Sequence, residues 1–209
     1  MANQLSQDDR KLVYDLYRLG ILTESKLDSL AQALVITDSQ CPTPDIAIDT
    51  ETKPSFTIVN LGGALLLADV SLYEGMEDAA DFIRQQIQLL ANECNQIVFV
   101  AYAPSLAIAE SDFTVAEIVA TLIQVQKRYI IRCGRKKAFR NVRFHAFFCV
   151  DLPEKRSYCY GVNPEKFAPW YRKYEQEVLG RQDDDDPDDL DDGISVRGSF
   201  RDSRLHHPR

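Results

Sequence analysis

No run of apolar residues in this 209-residue chain approaches the roughly 18 that a membrane-spanning helix needs. The first residues, Met1-Ala-Asn-Gln-Leu-Ser-Gln-Asp-Asp9, lack the basic, then apolar, then small-residue succession of a secretory leader, so a cytoplasmic location with no membrane contact is expected. The five cysteines (Cys41, Cys94, Cys133, Cys149 and Cys159) are odd in number and show no C-x-x-C spacing, which leads one to expect reduced thiols rather than a disulfide framework. No glycine-rich phosphate loop follows any apolar run, so no nucleotide cofactor is expected, and no cofactor of another kind is called for.

What is present is enough for one core. Apolar residues make up 45% and aromatics 10% of the chain, sufficient to offset the entropy of ordering a single domain without staples. The net charge of -8 is unevenly placed: residues 181–209 hold nine Asp against five Arg and supply half of it. Two local features matter more than the total, an acidic run from Asp183 to Asp192 and a basic run from Lys127 to Arg143.

Periodicity divides the chain into four parts: a helical hairpin over 1–35, a linker over 36–54, an α/β domain over 55–180 and a disordered acidic tail over 181–209. Ser6 followed by Asp9 reads as a helix start, Leu12, Val13, Leu16 and Tyr17 form an apolar stripe, and Gly20 stops it. Thr23 then caps an expected second helix through Leu27, Leu30, Ala31 and Leu34. Three prolines among Thr, Ser and Asp mark the linker. Phe56 to Leu61 and Ala64 to Leu72 read as an antiparallel hairpin turning at Gly62-Gly63. A helix through Met76 to Cys94, a buried strand at Ile97 to Tyr102, a helix through Val115 to Val125 and a short strand at Tyr129 to Arg132 give the rhythm of a parallel sheet. A hairpin from Val142 to Tyr160 and a final helix through Phe167 to Val178, ended by Gly180, complete it. The expected fold is α/β: a mixed, mostly parallel sheet with flanking helices and a C-terminal β-hairpin plus helix, preceded by the helical hairpin.

The stretch Leu16 to Glu24, with its Gly20-Ile21-Leu22-Thr23-Glu24 turn, resembles short helical-hairpin modules appended to many bacterial proteins, which implies self-association or docking; half of a DNA-binding helix-turn-helix fits the same pattern. The pieces Asp69, Ala79 to Leu90, Val98 to Tyr102, Val115 to Val125 and Arg143 to Cys149 follow in an order similar to that of an uncharacterised bacterial and phage α/β family of unknown function. That resemblance implies a fold and no catalytic residues.

The basic segment holds eight cations, Lys127, Arg128, Arg132, Arg135, Lys136, Lys137, Arg140 and Arg143, and no carboxylate in seventeen residues. Such a density suits phosphates, with Tyr129 or Phe139 available to stack on bases; a partner with an acidic surface, the chain's own acidic tail or a merely solvated loop suits it as well. The expected function is therefore non-enzymatic binding or assembly, with nucleic acid or an acidic protein surface as partner. The enzymatic alternative is a metal-dependent nuclease or phosphodiesterase, in which Asp49 and Glu51 on a strand end, with Asp151, hold Mg²⁺. His145, Cys149 and Cys159, on the outward face of the last hairpin, offer three zinc ligands without an evident fourth; cysteine is so commonly buried without any metal that packing is the favoured reading and no metal site is expected. A small-molecule pocket, if present, belongs beyond the carboxyl ends of the strands, near Asp69, Ser71, Ser105 and Asp112.

Overall fold

In the computed structural model, the described residues are 5–24, 26–27, 33–38, 41, 46–48, 56–61, 64–68, 77–90, 93–103, 113–134, 136–151, 158–178 and 180. In chain order they form helix α1 (Gln7–Arg18), strands β1 (Leu22–Thr23), β2 (Lys26–Leu27), β3 (Ala33–Asp38), β4 (Ala47–Ile48) and β5 (Phe56–Leu61), helix α2 (Glu77–Leu90), strand β6 (Gln96–Tyr102), helix α3 (Val115–Gly134), strands β7 (Arg143–Val150) and β8 (Tyr158–Val162), and helix α4 (Pro164–Glu177). Short 3-10 turns occupy Ala64–Leu67 and Lys137–Phe139.

Six strands make one sheet in the order β1-β8-β7-β6-β3-β5, and β2 and β4 make a separate parallel pair. The run β5-β3-β6-β7 is parallel, while β8 is antiparallel to both β7 and β1. The α/β class with a mostly parallel sheet is as the sequence predicts.

All seven residues of β6 are buried, because both faces of a central parallel strand are covered. Ile97, Phe99 and Ala101 point to one face, where they join Leu34, Ile36, Phe148, Val150 and the apolar stripes of the helices in the main core. Val98, Val100 and Tyr102 point to the other, where they join Ala33, Val35, Phe147, Cys149 and Cys159 under Leu27, Cys41 and Ile46. The two clusters are the direct result of the two-residue period of a strand.

The helix ends are set locally. Ser6 Oγ accepts the Asp9 amide at 3.0 Å and donates to the Asp9 carboxylate at 2.6 Å, closing the first turn of α1. Gly20, at φ +67°, takes the left-handed conformation that releases the chain into β1. Asn163 Oδ1 accepts the amides of Glu165 and Lys166 at 3.1 Å, with Pro164 at the first position of α4. Glu117 folds back on Thr114 in a capping box that starts α3.

Four expectations differ from the structure. The second helix of the N-terminal hairpin is replaced over its described residues by strand: Leu22–Thr23 pairs with β8, and Ala33–Asp38 is the strand between β5 and β6. The run Ala33-Leu-Val-Ile-Thr37 is rich in β-branched residues, whose χ1 restriction favours a strand once both faces are buried. The expected boundary at 55 therefore falls inside the sheet, and the stretch read as linker contributes Ile36 to Asp38 and β4. Phe56–Leu61 is a strand as expected, at the edge of the sheet but parallel to β3, and Ala64–Leu67 is a 3-10 turn, so no hairpin joins them. Tyr129 to Arg132 continues α3 to Gly134 without a break, leaving Ile130 and Ile131 47% and 58% exposed on the helix surface. The tail, 181–209, lies outside the described residues.

Phe99 is fully buried, with its ring centroid 5.1 Å from that of Tyr129 and 6.3 Å from that of Phe144. Phe99→Ala is expected to cost about 3–5 kcal/mol in urea unfolding; a loss below about 1 kcal/mol would show that β6 is not the packed centre of the core.

Candidate polyanion-binding edge

Helix α3 runs against the direction of the parallel strands, and this fixes where the basic segment goes. Its amino end follows the carboxyl end of β6, and its last turns lie over the amino ends of β6 and β7. Gln126 Nε2 donates to the Phe144 carbonyl at 2.8 Å, Arg128 Nη1 donates to the Leu67 carbonyl at 3.1 Å, and the Arg143 amide donates to the Asn95 carbonyl at 2.9 Å. The turn at Lys137–Phe139, with Phe139 anchored in the core at 6% exposure, returns the chain into β7.

The basic residues consequently share the amino edge of the sheet. Arg132, Lys136, Lys137, Arg140 and Arg143 are exposed, and Lys127 and Arg128 are half-buried. Arg128 is engaged in holding α3 to the turn at Ala64–Leu67, so its role is at least partly structural. Arg135 lies outside the described residues. Arg132, in the last turn of α3, also faces the negative end of the helix dipole, an arrangement worth about 0.3–1 kcal/mol per cation with no ligand at all.

The aromatic residues expected to stack on bases are not available to do so. Tyr129 packs against Phe99 and Phe144, and Phe139 against Phe144. Burial of the Tyr129 phenol pushes its pKa up to about 12, against the opposing pull of the Arg84, Arg132 and Arg128 guanidinium groups.

The same edge carries an unexpected polar feature on the sheet face opposite the helices. Gln96, the first residue of β6, is fully buried, and neither its Nε2 nor its Oε1 has a hydrogen-bond partner among the described residues. His145 Nε2, on the adjacent strand, is buried in the same condition. Each such atom costs about 1–3 kcal/mol relative to a satisfied one. Burial, and secondly the Arg143 charge, lower the His145 pKa, so the imidazole is neutral at neutral pH. The sequence marks Gln96 only as a polar residue ahead of an apolar run, which reads as a strand boundary rather than as a core position.

The remaining candidates fall elsewhere. Asp49 and Glu51 lie outside the described residues; Asp151, just beyond β7, accepts a hydrogen bond from Tyr102 Oη at 3.0 Å. Asp69, Ser71, Ser105 and Asp112 also lie outside the described residues. The carboxyl edge between β3 and β6 is a topological switch point, since the chain leaves β3 toward β5 and leaves β6 toward β7. Cys149 and Cys159 are register partners across β7 and β8 and are joined by a disulfide, contrary to the expected reduced thiols; Cys41, Cys94 and Cys133 form no disulfide. The hairpin sets them opposite each other on a buried face, not on an outward one, with 0% and 2% exposure. The bond occupies both sulfurs, and four strand positions, about 13 Å, separate His145 from Cys149. No group of three His, Cys, Asp or Glu in metal-holding geometry occurs among the described residues. Helix α1, expected to mediate association, buries Val13 and Leu16 in the main core and leaves Tyr14 and Leu19 exposed. No helix among the described residues is long and apolar enough to cross a membrane.

The Tyr129 environment has a pH signature. The folded protein keeps a phenolic proton that the unfolded chain gives up near pH 10, so this contribution to stability is complete below pH 10 and lost as pH rises to about 12. Relative to Tyr129→Phe, the wild type is expected to lose unfolding free energy between pH 9 and pH 12 in urea titrations. A pH-independent difference between the two would contradict the burial.

Compared with protein-family models, with curated proteins and with solved structures, the chain matches none.

Proposed function

We propose that the protein is a non-enzymatic binding protein that engages the phosphate backbone of nucleic acid through the amino edge of its sheet. The observation that carries this reading is the segregation of charge: a chain of net charge -8 gathers eight cations and no carboxylate into residues 127–143. Five of these cations, Arg132, Lys136, Lys137, Arg140 and Arg143, are exposed along that one edge. Their spread over a helix end, a 3-10 turn and a strand start suits a backbone that presents phosphates at intervals, and counterion release supplies the binding energy. With Tyr129 and Phe139 committed to the core, the contact is electrostatic rather than one of exposed stacking platforms.

The triple variant Lys136→Glu, Lys137→Glu and Arg140→Glu tests the reading, since all three side chains are exposed and none is part of the core. Fluorescence anisotropy with a labelled oligonucleotide at low salt should show binding weakened at least tenfold. The slope of log affinity against log salt should become shallower by about 2. Unchanged affinity and slope would retire the proposal.

A further inference from the structure

Resting on the nucleic-acid reading, we infer that Gln96 and His145 form a recognition site for an unpaired nucleobase, just inside the basic edge. Three observations converge on it. Gln96 is a fully buried amide with both polar atoms unpartnered among the described residues, in a strand whose other positions are apolar or, at Tyr102, hydrogen-bonded. His145 presents a second buried polar atom, Nε2, from the neighbouring strand, likewise without a partner among the described residues. The register aligns Gln96 with Arg143 and Val98 with His145, and the alternation of both strands puts Gln96, Arg143 and His145 on one face. Gln96 and His145 are thus diagonal neighbours, and the row opens to solvent through half-buried His145 and exposed Arg143.

The chemistry of the group narrows the ligand. A carboxamide offers a donor and an acceptor side by side, the complement of a base edge that presents an acceptor beside an amino group, as adenine does. A neutral imidazole adds one further donor or acceptor. Arg143 stands at the mouth, where a base entering the row would leave its phosphate. A paired base hides one edge in the duplex and is held in the stack, so the site selects single-stranded or free nucleotides. The exposed cations hold the backbone; the buried pair reads what the backbone carries. Buried orphan groups of this kind, disfavoured for folding, concentrate where function requires them.

The test compares wild type with Gln96→Met, which keeps shape and removes the amide, and with His145→Phe as a second variant. Each is titrated with a single-stranded adenine-rich oligonucleotide, a duplex of equal length and adenosine monophosphate. The expected result is a Tm for Gln96→Met equal to or above that of wild type, at least a tenfold loss for the single strand in both variants, and unchanged duplex affinity. Loss of adenosine monophosphate binding as well identifies free nucleotide as a ligand; loss confined to the oligonucleotide identifies the strand. Wild-type affinity for the single strand in both folded variants overturns the site while leaving the basic edge standing. A wild type that binds no oligonucleotide fails the nucleic-acid reading itself, and the site with it.

Discussion

The rest of the structure depends on the burial of β6 from both sides. A strand with every residue covered must satisfy its backbone through neighbours and its side chains through two separate clusters, and it does so between β3 and β7. Phe99 and Val98, adjacent in sequence, belong to different cores. Once β6 is fixed, α3 is obliged to cross back over the main core to reach β7, and its 20 residues, about 30 Å at 1.5 Å per residue, carry the chain from one edge of the sheet to the other.

That crossing divides the molecule chemically. The carboxyl edge holds the Tyr102–Asp151 hydrogen bond and the Cys149–Cys159 bridge. The amino edge holds the described cations of the basic segment, with Arg132, Lys136, Lys137, Arg140 and Arg143 exposed. Ligands of parallel α/β folds usually gather at the carboxyl edge, at the switch point. Here the charge is at the opposite end, and the buried polar atoms of Gln96 and His145 lie at that same end. A basic loop alone has an ordinary explanation in solubility or helix-end electrostatics; a buried glutamine with neither polar atom satisfied among the described residues calls for a partner from outside them, a water or a ligand.

Much of the fold is legible in the sequence because its signals are local and strong. The apolar run ending at Tyr102, the stripe at Ile83 and Ile87, the alternation from Phe144 to Val150 and the glycine at 20 each specify one backbone state. The misreadings share a cause. Ala33 to Thr37 and Tyr129 to Arg132 are short apolar stretches in which helix and strand patterns coincide, and tertiary context decides them: two neighbouring strands claim the first, and continuation of a long helix claims the second. The basic segment was visible as a charge run, but its assembly at one edge depends on the direction of α3. The Gln96–His145 face depends on the register between β6 and β7, which no spacing along the chain encodes.

Hydrogen–deuterium exchange of the full chain, with and without a saturating single-stranded oligonucleotide, tests the central claim most directly. New protection should appear at the last turn of α3, in the Lys136 to Arg143 segment and at the start of β7, with the carboxyl edge around Tyr102 and Asp151 unchanged. Protection confined to the carboxyl edge, or none in the presence of bound oligonucleotide, would contradict the assignment of function to the amino edge.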